Sequence, residues 1–257
     1  MLEIAFFDAE RKQRFWMVFF ICLMVSFGLG FVNYFIGGIS VFLIAFVCLA
    51  FSYPITKYMR ELNFKNMDRF YYKKFFQRFD QEIFIFWAVF VGVVIGFYLT
   101  NVIGLTSDFQ YEKSFVGALN GNIILDNFFY SVFFNNLSVA FYTFILSFFL
   151  FSGLIFVVVW NASIVAYYLF SLNSHGLATL TGLGFLVHAL LEIGGYVWAG
   201  IFGAVLSHRI AVRYFGYGKL PSFKRKKVMD RTFVLDCFLF LVLSIGFIFF
   251  GAVVETL

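Results

Sequence analysis

The sequence predicts an all-α, polytopic transmembrane helix bundle of about seven spans. Of its 257 residues, 62% are hydrophobic and 13% are charged. A soluble domain is typically about 45–50% apolar and about 25% charged. Several apolar stretches also reach the roughly 20 residues that a helix needs to cross the hydrocarbon core of a bilayer. The placement of the basic residues then predicts which end of each span faces the cytoplasm.

Seven apolar segments are long enough to be spans. The link between the fourth and fifth is only Phe151, Ser152 and Gly153, so the turn there must be tight. The spans are predicted at about 16–35, 39–57, 83–104, 130–150, 153–172, 180–206 and 232–252.

Lysine and arginine accumulate in cytoplasmic loops of membrane proteins. The N-terminal arm, residues 57–82 and residues 207–231 together hold 18 of the 19 basic residues. The remaining one, Lys113, lies in the loop 105–129. With seven spans, the three basic regions fall on one face and Lys113 on the other. We therefore predict a multi-pass protein of the cell membrane, with a cytoplasmic N-terminus and an outside C-terminus.

Charge also bears on partners. The net charge of +5 follows from this topology and does not indicate nucleic-acid binding. The segment KLPSFKRKK, residues 219–227, either marks the cytoplasmic side or contacts anionic lipid headgroups. The residues that would make the lipid contact are Lys224, Arg225, Lys226 and Lys227.

Small residues at four-residue spacing predict where helices pack, because lipid provides no hydrophobic drive for helix association. The third span carries one such seam and the sixth carries another, and they also allow a homodimer. The predicted seam residues are Ala88, Gly92 and Gly96 in the third span, and Gly184, Gly195, Ala199 and Gly203 in the sixth.

The sixth span also carries a polar pair. His188 and Glu192 are four residues apart, about one helical turn, and share the face of the small-residue seam. A carboxylate inside a span costs about 2.5–3.5 kcal/mol on the translocon scale. Asn135 and Asn136 of the fourth span and Asn161 of the fifth are candidate partners. The cluster is either a closed polar clasp between helices or a hydrated relay for protons or cations.

Catalysis is not predicted. The pair lacks the second histidine of a His-Glu-x-x-His zinc motif, and no Walker A loop occurs in the chain. No glycine-rich turn surrounds a candidate nucleophilic serine. We expect no cofactor and no metal site.

Three stretches carry a family resemblance. NNLSVAF (135–141), WNASIVAYY (160–168) and FLVHALLEIGGYVWAGIFGAVLSHRI (185–210) resemble the stage II sporulation protein M family in order and spacing. The resemblance covers a five-span core at roughly 83–252, and the first two spans are additional to it. It divides the chain into an arm with a two-span hairpin (1–58), a basic cytoplasmic or interfacial connector (59–82) and a five-span domain (83–257). In this last domain, Asn135, Asn136, Asn161, His188 and Glu192 align with the family's motif positions.

The chain departs from the family pattern at two places. Val187-His188-Ala189 stands where the family usually has Pro-His-Gly, and Asn161-Ala162 stands where Asn-Gly is common. The resemblance implies a polytopic membrane scaffold, which in spore formers anchors a wall-remodelling complex during engulfment. Because family members also occur in organisms that do not sporulate, the sporulation role is not transferred to this chain.

We therefore predict a non-enzymatic integral membrane scaffold whose Asn/His/Glu cluster pins the helix bundle. It would gather a membrane or extracytoplasmic partner through the loop 105–129 or through its basic segments. The alternative is an ion- or proton-linked channel or transporter that uses His188 and Glu192.

Overall fold

The protein is helical throughout the part that the computed structural model describes. The described residues are 11–36, 48, 75–104, 128–150, 153–174, 180–215 and 231–256. They contain six helices and no strand, which confirms the all-α prediction. The helices are α1 (Arg11–Ile36), α2 (Phe75–Val102), α3 (Phe128–Leu150), α4 (Gly153–Ser174), α5 (Leu180–Phe215) and α6 (Arg231–Thr256).

Five of these helices are long and apolar enough to cross a bilayer, which supports the prediction of a multi-pass membrane protein. Their apolar spans are Phe79–Val102, Phe129–Leu150, Gly153–Leu172, Gly184–Ala211 and Phe233–Thr256. In α1 the apolar stretch is shorter, Phe15–Phe31.

Helix bounds differ from the predicted spans at two places. α2 begins at Phe75, inside the predicted connector 59–82, and α5 continues to Phe215 instead of ending near residue 206. Both extensions contain charged residues, and a span predicted from a run of apolar residues stops before them. Backbone hydrogen bonding continues a helix beyond the apolar stretch, so a span underestimates the helix that contains it.

α1 and α2 lie side by side and run in the same direction. Gly92 of α2 is so close to α1 that a Cβ there would be 2.6 Å from the Phe19 carbonyl oxygen. Farther along both helices, Gly30 of α1 lies against Thr100 of α2. Two helices that cross a membrane in the same direction need a segment between them that crosses it in the opposite direction. The span predicted between them, 39–57, lies outside the described residues except for one position.

α5 is the central helix of the bundle. It contacts α3, α4 and α6 extensively and α2 slightly, and most of its apolar span is buried. Gly200 lies against Leu154 at the beginning of α4. Near the other end of α4, the Tyr168 and Phe185 rings stack with centroids 3.6 Å apart. α4 and α5 are therefore antiparallel, as the predicted span order requires.

The small-residue seams are used inside the chain. Gly195 lies so close to α6 that a Cβ there would be 3.0 Å from the Ser244 carbonyl oxygen, and Gly203 faces the Phe144 backbone of α3. Ala88 and Ala199 are also buried, and the α2 residues Gly92 and Gly96 pack on α1. Gly184 differs, because a Cβ there would meet no described atom within 4 Å. A homodimer would have to use surfaces other than these occupied seams.

α3 and α6 cover two sides of α5 and expose large apolar side chains on their outer faces. Less than a third of each span is buried inside the bundle: 22% for α3 and 28% for α6. Exposed Phe141 and Phe149 on α3, and Phe238 and Phe250 on α6, suit contact with lipid tails.

Candidate functional site

A cavity of about 290 Å³, lined by both apolar and polar side chains, lies between α3, α4, α5 and α6. All five residues of the predicted intramembrane cluster line the cavity, together with a carboxylate from the end of α6. The polar lining residues are Ser131, Asn135, Asn136, Asn161, His188, Glu192, Tyr196 and Glu255.

Three side chains are held together by the close approach of α5 and α6. His188 and Glu192 share one face of α5, and Glu255 reaches them from α6. Gly251, one turn before Glu255, allows this approach, because a Cβ at Gly251 would be 3.1 Å from Glu192 Cγ. Below the site, the Ser244 hydroxyl donates to the Gly195 carbonyl at 2.9 Å and ties the same two helices.

The His188 ring is contacted at both nitrogens. Its Nδ1 lies 3.1 Å from the Gly251 carbonyl oxygen. Its Nε2 lies 3.3 Å from Glu192 Oε2 and also 3.3 Å from Glu255 Oε2. His188 is buried, as is Glu192, and Glu255 is partly buried. One imidazole thus joins two carboxylates on two helices.

The tautomer of His188 follows from these contacts. A carbonyl oxygen only accepts hydrogen bonds, so Nδ1 carries a proton and donates it to Gly251. In a neutral ring, the Nε2 lone pair then faces the two carboxylate oxygens. Such a contact is repulsive unless a proton on the ring or on a carboxyl group, or a bound cation, lies between the groups. The cluster is therefore arranged to hold a proton or a cation.

The asparagines line the cavity without bonding to the His188–Glu192 pair. Asn161 Nδ2 donates to the Val157 carbonyl of its own helix at 2.8 Å. Asn135 Nδ2 donates to Asn136 Oδ1 at 3.3 Å. The expected hydrogen bonds from Asn136 and Asn161 to the pair are thus absent among the described residues. Contacts between α5 and α6 hold His188, Glu192 and Glu255 together. The asparagine side chains line the cavity wall without joining these contacts.

Glu192 is incompletely satisfied. Its Oε1 is buried and has no hydrogen-bond partner among the described residues. An unpaired polar atom away from water costs about 1–3 kcal/mol, and more for a charged group. Because Glu192 borders a cavity with room for several water molecules, a water molecule or a cation there would remove this cost.

The cavity has polar residues at one edge. Ser131 and Asn135 are exposed lining residues near the beginning of α3, the end predicted to face outside. Farther along α5, toward the predicted cytoplasmic end, aromatic rings pack together and also line a larger, mainly apolar pocket of about 550 Å³. Phe240 is fully buried, and its ring stacks on that of Phe202 with centroids 5.6 Å apart. Trp198 lies against the same Phe240 ring at 5.8 Å.

Sequence reasoning missed Glu255. The predicted seventh span ended at about residue 252, which left Glu255 in the outside tail. Gly251 is the signal that could have found it, since a glycine one turn from a carboxylate permits close helix packing. The other buried acidic and basic residues among those described are Glu82, His208, Arg209 and Asp236.

Two groups of predicted contact residues lie outside the part of the chain that the structure describes. They are the lipid-contact residues Lys224, Arg225, Lys226 and Lys227 and residues 105–127 of the predicted outer loop 105–129. Their roles stay predictions.

The bundle and its internal cavity define a polytopic helical membrane protein. The family model of stage II sporulation protein M matches residues 83–257, which include all of the cavity. The chain therefore belongs to this family, and the expected resemblance is confirmed. No curated protein and no solved structure matches the chain.

Proposed function

We propose that the protein is an ion-linked transporter or channel of the cell membrane, which binds a proton or another cation in the cavity between α3 and α6. The main support for this proposal is the position of His188 Nε2, which lies 3.3 Å from a carboxylate oxygen of Glu192 and 3.3 Å from one of Glu255. An imidazole nitrogen this close to two carboxylate oxygens in a membrane domain needs a shared proton or a bound cation, and both residue types exchange protons readily.

The shape of the cavity supports transport over a purely structural clasp. A clasp would leave Glu192 dry and fully paired, whereas Glu192 Oε1 has no partner and its side chain borders the cavity. The exposed Asn135 lies at one edge of the cavity, and the stacked Phe202 and Phe240 rings lie beyond the site. Polar residues at one edge, with aromatic packing beyond the site, support access to the site from the predicted outer side.

Flux measurements in reconstituted vesicles test this function. Wild-type protein is expected to carry protons or a metal cation down an imposed gradient, and Glu192→Gln is expected to reduce that flux by at least about tenfold. The amide keeps the size of the side chain but can neither lose a proton nor balance a cation. Flux is read with a pH-sensitive or metal-sensitive dye inside the vesicles.

Glu192→Asp is the matched control, because it keeps the carboxylate and should retain measurable flux. Equal incorporation and an unchanged elution volume on size exclusion establish that both variants are folded. The absence of any proton or cation flux in wild-type vesicles would rule out the transport proposal, and equal flux in wild type and Glu192→Gln would remove Glu192 from it.

The second candidate is the scaffold predicted from sequence. It is favoured by the interhelical contacts of His188, which join α5 to α6 through Gly251 and Glu255. In that case the cluster only stabilises the bundle, and the protein organises others. Purification from native membranes in mild detergent distinguishes the two, since a scaffold should retain a reproducible partner and show no Glu192-dependent flux.

A further inference from the structure

We propose that His188, Glu192 and Glu255 form a binding site for a divalent transition-metal ion of the Zn²⁺ type. This inference rests on the proposed cation-linked function and specifies the cation. The site has three ligands on two helices, and no sequence motif identifies the third ligand, Glu255.

The distances fit such an ion. Each of the three residues offers one ligand atom, and these atoms all lie within 4.8 Å of one another. Zn²⁺ binds histidine nitrogen and carboxylate oxygen at about 2.0–2.2 Å, so two ligands in a tetrahedral site lie about 3.3–3.6 Å apart. His188 Nε2 lies 3.3 Å from each of the two carboxylate oxygens. An ion can therefore contact all three groups once side-chain rotation brings the two carboxylate oxygens to the same separation.

The second nitrogen of His188 has the partner that a metal-binding histidine requires. Such histidines almost always donate their other ring N–H to a carbonyl or carboxylate, which fixes the tautomer and orients the ring. Here the Gly251 carbonyl oxygen, 3.1 Å from Nδ1, is that acceptor. Nε2 is thereby left as a lone-pair donor aimed between Glu192 and Glu255.

Charge and ligand type favour a transition metal over other cations. Two carboxylates balance the charge of a divalent ion, which leaves a neutral centre inside the membrane domain. Mg²⁺ and Ca²⁺ are bound mainly by oxygen, whereas imidazole combined with carboxylate suits Zn²⁺ and related first-row ions. The cavity next to Glu192 leaves space for water at a fourth position, the open coordination typical of metal sites that exchange ligands.

The test uses the full chain, purified in detergent without a polyhistidine tag and stripped of metal with a chelator. Co²⁺ serves as a spectroscopic probe of nitrogen and oxygen coordination, and Zn²⁺ competition gives the affinity. We expect one Zn²⁺ per chain, and a loss of affinity of more than about 100-fold in His188→Gln, Glu192→Gln and Glu255→Gln. Loss of a residue that only hydrogen-bonds to a metal ligand typically lowers metal affinity by about 10–100-fold, so loss of a ligand itself should lower it further.

Glu82→Gln is the matched control, because Glu82 is also a buried carboxylate but lies on α2 and is absent from the cavity wall. It should bind Zn²⁺ as the wild type does. Failure to bind Zn²⁺ or Co²⁺ at millimolar concentration, or equal affinity in all variants, would overturn the metal site. Proton flux that depends on Glu192 without metal binding overturns this inference alone. Metal binding without any flux supports the site and overturns transport.

Discussion

Replacement of His188 by leucine is expected to destabilise the metal-free protein by about 3–5 kcal/mol, the range found when one partner of a buried charged group is removed. Without a metal ion, a proton shared with the imidazole holds the three groups together, with Nε2 3.3 Å from an oxygen of each carboxylate. The substitution deletes the imidazole, and Glu192 and Glu255 then face each other across α5 and α6 without that shared proton. The free energy of unfolding in mixed micelles, measured in chelator, is the readout.

Two further variants separate electrostatics from packing. The triple variant His188→Leu/Glu192→Gln/Glu255→Gln removes the repulsion along with the imidazole, so it should recover much of the lost stability. Asn161→Leu is the control from the same cavity wall, because its side-chain amide donates only to the Val157 carbonyl of its own helix. A loss for His188→Leu no larger than for Asn161→Leu, with no recovery in the triple variant, would show that the carboxylates do not depend on the imidazole.

Gly251→Val is expected to lower cation affinity by about 10–100-fold, the usual effect of disturbing a residue that positions a metal ligand. A Cβ at Gly251 would already lie 3.1 Å from Glu192 Cγ, and the two methyl groups of valine need more space. α6 must then move away from α5, which separates Glu255 from His188 and weakens the Nδ1 contact to the Gly251 carbonyl. Zn²⁺ binding and the concentration dependence of flux both report this change.

Gly246→Val provides the control on the same helix. A Cβ at Gly246 would meet nothing within 4 Å among the described residues, so the variant carries the same change in composition without the approach to α5. It should match the wild type in both assays. If Gly251→Val also matched the wild type, the close packing of α6 on His188 would not position the site.

The membrane fold was readily predictable from sequence because its signals are local. Apolar length identified the five long helices, and the alternation of basic loops predicted a direction for each span. The observed geometry agrees with that order: α1 and α2 are parallel, and α4 and α5 are antiparallel. The predicted orientation relative to the cell remains a prediction, since it depends on the charge distribution alone.

The site was only partly predictable, because its decisive contact is not local. The four-residue spacing of His188 and Glu192 placed both on one helical face, and the structure brings Asn135, Asn136 and Asn161 to the same cavity. No spacing rule connects His188 to Glu255, which lies on another helix and close to its end. Only the packing of α5 on α6, which depends on Gly251, reveals that pair.

The predicted partners of the polar pair illustrate the same limit. Asn161 was expected to bond across helices, yet its amide donates to the Val157 carbonyl four residues earlier. In a helix, a carbonyl of the preceding turn is always within reach, and sequence does not distinguish this partner from one on a neighbouring helix. The asparagines therefore contribute to the polarity of the cavity instead of closing it.

Access of water to the cavity is the most direct test of the account, because a hydrated site distinguishes a relay from a clasp. Asn136→Cys would be prepared in a chain whose three free cysteines, Cys22, Cys48 and Cys237, are replaced, and treated with a membrane-impermeant cationic thiol reagent. Ser147→Cys is the control, because Ser147 is buried on the same helix but does not line the cavity. We predict that Asn136→Cys reacts when the reagent is on the outside of sealed vesicles, and that Zn²⁺ slows the reaction while Ser147→Cys stays unreactive. A folded Asn136→Cys variant that resists the reagent from both sides would contradict the account, since the cavity would then be dry.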